Sequence, residues 1–425
     1  MKKTFLILAL LTNTVMVFAQ TEPANYKAAM NNFKTYYNDQ QPDSIFNMFS
    51  PKVQGISPLD KTKEMVTQLN SQLGKISTTE FITQKENTAI YKTTFDKAVL
   101  SLLLTLNSDN KIDGIFFKPY KDEKEIPILE APNSSPYVYH APDGDIKGTL
   151  VLPNGTKRIP VVLIIAGSGP TDRNGNSPLG VSGNTYLMIA DSLQKHGIAS
   201  VRYDKRNIGE STGFKSEENT SFEDMINDAE GLIKKLKADP RFSEVIVLGH
   251  SEGSLIGMVA AEHTKANAFI SVSGAGRPLD EVIMEQLKAQ SEDIQKESST
   301  IMDSLKKGST VKNVDPKLDA LFRSSVQPYL ISLFKYDPAK EIKKLHMPVL
   351  IVQGTTDIQV SVSDAEDLHK ANPKATFKLI DGMNHVLKQA PLDRQQNMAT
   401  YSDPNLPLDA QLVTSIKDFI LKTKK

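Results

Sequence analysis

The chain has 425 residues, of which 39% are hydrophobic and 24% charged, so it is long enough for two or three globular domains. Its 50 basic and 50 acidic residues cancel, which leaves no electrostatic reason to expect binding to nucleic acid or to an anionic membrane. Cysteine is absent, which excludes disulfides, thiolate metal sites and a cysteine nucleophile.

The first residues have the pattern of a signal peptide. Lys2 and Lys3 precede an apolar stretch over residues 5–18, and Ala19 is a small residue at the expected cleavage position. We therefore predict a signal peptide over residues 1–19 and a mature protein that is exported to the periplasm or secreted. The apolar stretch is shorter than a stable membrane span requires, although an uncleaved anchor is the alternative.

Residues 20–119 have the pattern of a small α+β domain. Helices are predicted at residues 26–38 and 61–73, and strands at residues 79–84, 89–95, 99–106 and 112–117. Helices followed by a curved sheet resemble the cone-shaped NTF2-like domains found ahead of some secreted hydrolases. No cluster of acids, bases or metal ligands stands out here, so we interpret the domain as a packing or dimerising module. The charged and proline-bearing residues 120–136 are predicted to form a linker.

Residues 137–425 alternate strand-like and helical segments after an opening β-hairpin. Strands are predicted at residues 137–140, 146–152, 160–166, 199–203, 245–248, 268–273, 349–352 and 376–380, and helices at residues 185–196, 222–237, 251–264, 363–371 and 409–421. This alternation predicts an α/β fold with a mostly parallel sheet and helices on both faces. A helical insertion at about residues 275–347 is expected to form a cap that excludes water and shapes the acyl pocket. The alternative is that it only covers the surface of the sheet.

One serine stands between a predicted strand and a predicted helix. The pentapeptide Gly249-His250-Ser251-Glu252-Gly253 follows a short apolar run and precedes a run of small and apolar residues. A strand, a G-x-S-x-G pentapeptide and a helix form a nucleophile elbow, a turn so tight that side chains in place of the glycines would clash. We therefore predict that Ser251 is a catalytic nucleophile.

The same pentapeptide pattern occurs a second time, around Ser211. It lies between the charged segment 204–207 and the polar segment 214–218, and no apolar helix follows it. Ser211 is therefore interpreted as a turn residue.

A serine hydroxyl needs a base to remove its proton and an acid to orient that base. His385 follows the last predicted strand in a glycine-containing loop from which it can reach inward, and it is the predicted base. The side chain of His250 is expected to point away from the serine. Asp357, which follows the preceding strand, suits the chain order serine, acid, histidine and is the predicted acid. Asp280 is the alternative, and Asp381 is too close to the histidine in sequence to orient it easily.

Acyl transfer also needs N–H donors for the developing oxyanion. One is expected to be the amide of Glu252, the residue after the nucleophile. The other is expected from the loop at residues 167–170, where Ser168 N–H is preferred and Gly169 N–H is the alternative. A phosphate-binding loop is disfavoured because no G-K-[ST] motif follows these glycines.

These motifs together resemble the α/β-hydrolase superfamily over residues 137–425. Segment 203–211 also resembles this superfamily, and segment 166–175 resembles the EstD-type bacterial esterases, a branch near the serine aminopeptidase-like (S33-like) hydrolases. Ala166 stands where a histidine usually precedes the oxyanion glycine. The resemblance implies hydrolysis of an ester, thioester or amide through an acyl-enzyme, without a metal or organic cofactor.

The favoured function is that of an exported serine hydrolase, a carboxylesterase whose partner is a small-molecule substrate with a short acyl group. The alternatives are a serine aminopeptidase and a non-catalytic binding protein on a hydrolase scaffold. The binding protein is disfavoured because it would need none of the three triad side chains. The oligomeric state stays open, and a homodimer is one of the options.

Overall fold

A computed structural model of the protein describes residues 22–85, 87–120, 132–155 and 158–423. The chain divides into two compact units, Met1–Ile128 and Leu129–Lys425. The predicted signal peptide, residues 1–19, and residues 121–131 of the predicted linker lie outside the described residues. Within the described part, no helix combines the length and the apolar character that a transmembrane span requires.

The first unit, in its described residues, packs helices against an antiparallel sheet. The helices are α1 (Ala24–Asn38), α2 (Pro42–Met48), α3 (Pro51–Ile56) and α4 (Leu59–Leu73), and the strands are β1 (Ile76–Lys85), β2 (Thr88–Phe95), β3 (Val99–Leu106) and β4 (Ile112–Pro119). The strands lie in the order β1-β2-β3-β4. Tyr26, Met30, Phe33 and Tyr37 recur every three or four residues along α1, and they are buried in one core with alternate residues of the sheet.

The second unit alternates strands and helices. Its described strands are β5 (Ser134–Ala141), β6 (Gly144–Val151), β7 (Ile159–Ile165), β8 (Ala199–Tyr203), β9 (Phe242–His250), β10 (Ala268–Val272), β11 (Val349–Gly354) and β12 (Thr376–Ile380). Its described helices are α5 (Thr185–Lys195), α6 (Phe222–Ala238), α7 (Glu252–Thr264), α8 (Leu279–Gln286), α9 (Glu292–Lys306), α10 (Asp319–Phe322), α11 (Gln327–Leu333), α12 (Pro338–Lys343), α13 (Val362–Ala371), α14 (Arg394–Ala399) and α15 (Ala410–Thr423). β5 begins inside the segment predicted to be a linker, because residues 134–141 pair with β6.

The strands of the second unit form a mixed sheet in the order β12-β11-β10-β9-β7-β8-β6-β5. The strands from β12 to β8 in this order run parallel, whereas β6 pairs antiparallel with both β8 and β5. Val245 and Val247 of β9 pack with α6 and α7 on one face, and Ile246 and Leu248 pack with α5 and α15 on the other. The strand is apolar throughout because helices cover both faces. The predicted α/β fold with a mostly parallel sheet is therefore confirmed.

The insertion between β10 and β11 is helical and contains α8 to α12. Residues 287–291 separate α8 from α9. The second of these begins after Ser291 with Glu292 and Asp293 in its first turn, where the helix dipole favours acids. Leu333, Ile342 and Leu345 of the insertion are buried in the core that covers one face of the sheet. The other buried hydrophobic residues of the insertion pack against one another: Ile283, Leu287, Ile294, Ile301, Met302, Leu305, Leu318, Phe322 and Leu330. The insertion therefore has a small core of its own.

Candidate active site

The predicted nucleophile lies in the turn between β9 and α7. Ser251 adopts φ 55° and ψ −124°, a conformation that residues other than glycine rarely adopt. A Cβ atom at Gly249 would overlap the carbonyl oxygen of Gly253, and a Cβ atom at Gly253 would overlap the carbonyl oxygen of Ile165. Both positions therefore require glycine, and the strained turn presents the serine at the carboxyl end of β9.

The predicted base and acid are hydrogen-bonded to each other. His385 Nδ1 lies 2.8 Å from Asp357 Oδ2 and 3.1 Å from Oδ1. The histidine side chain is 7% exposed and the aspartate side chain 0% exposed. Asp357 follows β11 and His385 follows β12, and these strands are parallel neighbours. The sheet therefore brings together two loops that are 28 residues apart in the chain.

Backbone and side-chain donors surround the carboxylate of Asp357. Its Oδ1 accepts from the N–H of Gln359 at 2.8 Å and of Val360 at 3.0 Å, and its Oδ2 accepts from Gln353 Nε2 at 3.2 Å. Burial alone would raise the pKa of Asp357, but the charge and hydrogen bond of His385, together with the backbone donors, lower this pKa below its ordinary value. The ionised carboxylate keeps the proton of neutral His385 on Nδ1, which leaves Nε2 free to accept a proton.

Ser251 and His385 lie on the wall of the same cavity, which has a volume of about 100 Å³. Its lining comes from the loop after β7, the start of α5, the elbow and the segments after β11 and β12: Gly167, Ser168, Thr171, Gly175, Val181, Thr185, Tyr186, His250, Ser251, Gln359, His385, Val386 and Tyr401. Among the described residues, no hydrogen bond joins Ser251 Oγ to the imidazole of His385. Such bonds are often long in ligand-free enzymes and shorten when substrate binds.

The helical insertion contributes no residue to the described lining of this cavity. Most of its buried apolar side chains, which were expected to shape the acyl pocket, lie in the core of the insertion. Leu333, Ile342 and Leu345 pack against the sheet domain, as the alternative predicted. The loop after β7 and the segment around Tyr401 supply the walls that had been expected from the cap.

His250, the residue before the nucleophile, connects two loops of the site. Its Nε2 lies 2.9 Å from the backbone carbonyl oxygen of His385, and its Nδ1 lies 2.8 Å from the hydroxyl of Tyr186. Burial, and then the nearby His385, lower the pKa of His250 to about 3, so the ring is neutral. Because a carbonyl oxygen only accepts, Nε2 carries the hydrogen and Nδ1 accepts from Tyr186. The tyrosine oxygen accepts in turn from the N–H of Gly167 at 3.1 Å, which completes a chain of hydrogen bonds.

The N–H groups predicted to bind the oxyanion are available. Within the described part of the chain, neither Ser168 N–H nor Gly169 N–H has an acceptor in the protein. Glu252 is the first residue of α7, and the first N–H groups of a helix have no partner within the helix. Ser168 lines the cavity together with Ser251, whereas Gly169 does not, which favours Ser168 as the second donor.

Comparison with known proteins places the chain in a family. A family model described as "Serine aminopeptidase, S33" matches residues 179–389, and a model described as a protein of unknown function (DUF3887) matches residues 31–115. Esterase EstD of Thermotoga maritima is 30% identical over 368 residues, which make up 84% of this chain and 86% of that protein. The chain belongs to the EstD family of α/β hydrolases.

Membership of the EstD family makes the protein a hydrolase, and specifically an esterase. Solved structures with a similar fold include Est1E from Butyrivibrio proteoclasticus, which was determined with ferulic acid bound. It is 20% identical with a TM-score of 0.47, and the match covers 68% of this chain and 98% of that chain. The α/β hydrolase GrgF from Penicillium sp. sh18 is 18% identical with a TM-score of 0.47, and it has the same coverage of 68% and 98%.

The charged segment 203–211 holds the loop after β7 in place. Asp204 accepts from the backbone N–H of Arg173 at 2.7 Å and from its guanidinium Nη2 at 2.5 Å. Arg206 Nε donates to Asp228 at 2.6 Å, and both side chains are buried. The charges of this segment therefore connect the loop after β8 with the loop after β7 and with α6.

The alternative candidates for the triad make other contacts. Ser211 is buried, and its Oγ is hydrogen-bonded to two backbone groups. Asp280 pairs with Lys306 within the insertion, and Asp381 accepts from the hydroxyl of Thr355. None of these three candidates is among the described residues that line the cavity with the predicted nucleophile.

Sequence reasoning did not identify the contacts of Tyr186, Lys205, Gln359 and Tyr401. Gln359 and Tyr401 line the cavity and are joined by a hydrogen bond of 3.1 Å from Nε2 to Oη. Sequence reasoning considered Lys205 only as part of the charged segment 204–207. For both tyrosines the partner lies tens of residues away, so no local spacing could have indicated these roles.

Proposed function

We propose that the protein is an exported carboxylesterase that hydrolyses small esters with short acyl groups through Ser251, His385 and Asp357. The observation that carries the proposal is the His385–Asp357 hydrogen bond on the wall of the cavity that also contains Ser251. Export rests on the charged start and apolar stretch of residues 1–19 alone.

The reaction would use these residues as follows. His385 Nε2 takes the hydroxyl proton as Ser251 Oγ attacks the ester carbonyl carbon, and the N–H groups of Ser168 and Glu252 stabilise the oxyanion. The intermediate collapses, the bond to the alcohol oxygen breaks, and the alcohol leaves with the proton from His385. Water activated by the same imidazole then attacks the acyl-enzyme, releases the acid and restores the serine. Asp357 stabilises the imidazolium in both halves of the reaction.

The cavity supports a short acyl group and disfavours an aminopeptidase. Its volume of about 100 Å³ is small beside the roughly 300–1,000 Å³ of pockets for drug-sized ligands, which suits an acyl chain of a few carbon atoms. An aminopeptidase must bind a protonated amine, for which a carboxylate is the usual partner. No aspartate or glutamate occurs among the described residues of the lining. Glu281 and Glu285, two acids of the insertion, are not part of this lining.

The test compares kcat/KM for unactivated alkyl acetates, butyrates and hexanoates with kcat/KM for aminoacyl and dipeptidyl amides. We expect every acetate or butyrate to be hydrolysed faster than any amide. Ser251→Ala should lower kcat by a factor on the order of 10⁶ and abolish labelling by a fluorophosphonate, because no other group replaces a triad serine.

Ser211→Ala is the matched control, since it removes a serine from the same pentapeptide pattern and should leave labelling intact. An amide with a free amino terminus that outpaces all alkyl esters would contradict the esterase proposal. Fluorophosphonate attached to Ser211 would contradict the choice of nucleophile.

A further inference from the structure

Side chains hold both backbone groups of Gly167, which lies against the nucleophile. A Cβ atom on Gly167 would come 3.1 Å from the Cβ of Ser251. The N–H of Gly167 donates to Tyr186 Oη at 3.1 Å, and its carbonyl oxygen accepts from Lys205 Nζ at 2.5 Å. Tyr186 is 3% exposed and Lys205 is 5% exposed. The Gly167–Ser168 peptide carries Ser168 N–H, a predicted oxyanion donor. Two buried side chains therefore hold this peptide in place.

Stability of the fold does not account for a lysine at position 205. A buried ammonium is costly unless a carboxylate pairs with it, and an apolar side chain of similar volume often stabilises such a site as well or better. The described residues include no ion-pair partner for Lys205. Burial lowers the pKa of Lys205. The carboxylate of Glu252 raises this pKa by a smaller amount, so the pKa is lowered overall. The amine therefore has its hydrogen bond to Gly167 as its main contact.

The direction of the Gly167 carbonyl determines the direction of the next N–H. In a trans peptide the C=O of one residue and the N–H of the next point in opposite directions. Lys205 on the carbonyl therefore orients Ser168 N–H away from the lysine. In the described part of the chain this N–H has no protein acceptor. A donor on the carbonyl oxygen also polarises the peptide and strengthens its N–H as a donor.

We propose that Lys205 is a positioning residue of this esterase: through the Gly167–Ser168 peptide it orients and strengthens the N–H that stabilises the oxyanion. Lys205 itself is not among the described residues that line the cavity, so it acts through the peptide and not on the substrate. The inference rests on the proposed function, because an oxyanion forms only when Ser251 attacks an ester carbonyl carbon.

In that step a bond forms between the serine Oγ and the carbonyl carbon, the hydroxyl proton moves to His385, and the π electrons of the carbonyl move to its oxygen. The negative charge exists in the transition state and in the tetrahedral intermediate but not in the bound ester. Lys205 should therefore affect kcat much more than KM.

The test replaces the amine while keeping the length of the side chain. Lys205→Met should lower kcat for p-nitrophenyl acetate by about 10- to 100-fold, which is less than the 10²- to 10³-fold loss for removing a whole oxyanion donor. KM should change by less than about threefold. A trifluoromethyl ketone, to which Ser251 adds to form a stable oxyanion, should bind more weakly by the same factor as kcat falls. Lys205→Arg retains a charged donor, so its kcat and its affinity for the ketone should both stay close to those of the wild type.

Lys388→Met is the matched control. Lys388 is also fully buried, and it also donates to a backbone carbonyl, that of Leu406. Removing this second amine should change Tm, as the loss of any buried lysine does, without weakening trifluoromethyl ketone binding relative to KM. The control therefore separates the effect of a lost buried lysine from an effect on the oxyanion.

Unchanged ketone affinity in a folded Lys205→Met variant would overturn the proposal, and so would an equal loss in Lys388→Met. If Lys205→Met does not fold, Lys205→Leu also removes the donor and provides the same comparison, and wild-type ketone affinity in that variant would count against the proposal. If neither variant folds, the lysine acts through stability and the proposal is wrong. Wild-type protein that fails to react with a fluorophosphonate would refute the proposed function instead, so the two failures are distinguishable.

Discussion

Replacing Asp357 with asparagine should remove nearly all activity while the fold is retained. Among the described residues, each group that is hydrogen-bonded to this carboxylate is a donor. Oδ1 accepts from the N–H groups of Gln359 and Val360, and Oδ2 accepts from His385 Nδ1 and from Gln353 Nε2. Asparagine has one acceptor oxygen and one NH₂ group, so one side of the new amide must place a donor against a donor.

The imidazole can resolve this conflict more easily than the backbone can. The two backbone N–H groups could turn away only if the loop moved, whereas His385 needs only to change its tautomer. The amide oxygen is therefore expected at the Oδ1 position, with the NH₂ group facing His385 Nδ1. The histidine then carries its hydrogen on Nε2 and cannot accept the proton of Ser251. A wrong tautomer of this kind lowers kcat by about 10⁴, or roughly 5.4 kcal/mol of transition-state stabilisation.

The assay measures kcat for p-nitrophenyl acetate and the rate of fluorophosphonate labelling, with thermal unfolding as the check on folding. Asp280→Asn and Asp381→Asn are the controls, since these carboxylates contact Lys306 and Thr355 instead of the histidine. Both controls should stay within about tenfold of the wild type. A loss of less than tenfold in Asp357→Asn, or a greater loss in Asp280→Asn, would refute the reasoning.

Three further predictions concern other parts of the chain. A chain that begins at Leu129 keeps every cavity residue and should still be labelled by a fluorophosphonate; a folded but unlabelled product would show that the first unit completes the site. Burial lowers the pKa of His250 to about 3 from its ordinary 6.5, so below pH 6.5 the unfolded chain binds a proton that the folded chain does not. The free energy of unfolding should therefore fall as the pH drops from 6.5 towards 3, by at most roughly 1.4 kcal/mol per pH unit. Urea titrations at several pH values measure this fall, which should be smaller in His250→Gln. Mass spectrometry of the exported protein should give an amino terminus at Gln20, and an intact Met1 in the exported fraction would contradict a cleaved signal peptide.

The nucleophile elbow and the placement of the base and acid could be predicted because each depends on a local pattern. A strand covered on both faces is apolar at every position, and the turn after it accepts only glycine at positions 249 and 253. Once the sheet is parallel, the loops after β11 and β12 must be neighbours, so Asp357 and His385 were expected to meet. The boundaries of the insertion followed from the interrupted alternation of strands and helices.

Only the tertiary structure decided what surrounds these residues. Tyr186 and His250 are 64 residues apart, and Lys205 reaches a carbonyl 38 residues before it, so neither contact has a signature in the spacing of the chain. The insertion illustrates the same limit. Its apolar spacing indicated that one face of each helix is buried, but not that α8 and α9 bury theirs within the insertion while α12 buries its own against the sheet domain. Periodicity along the chain reports whether a side chain is buried, whereas its partner depends on distances in space that only the packed chain determines.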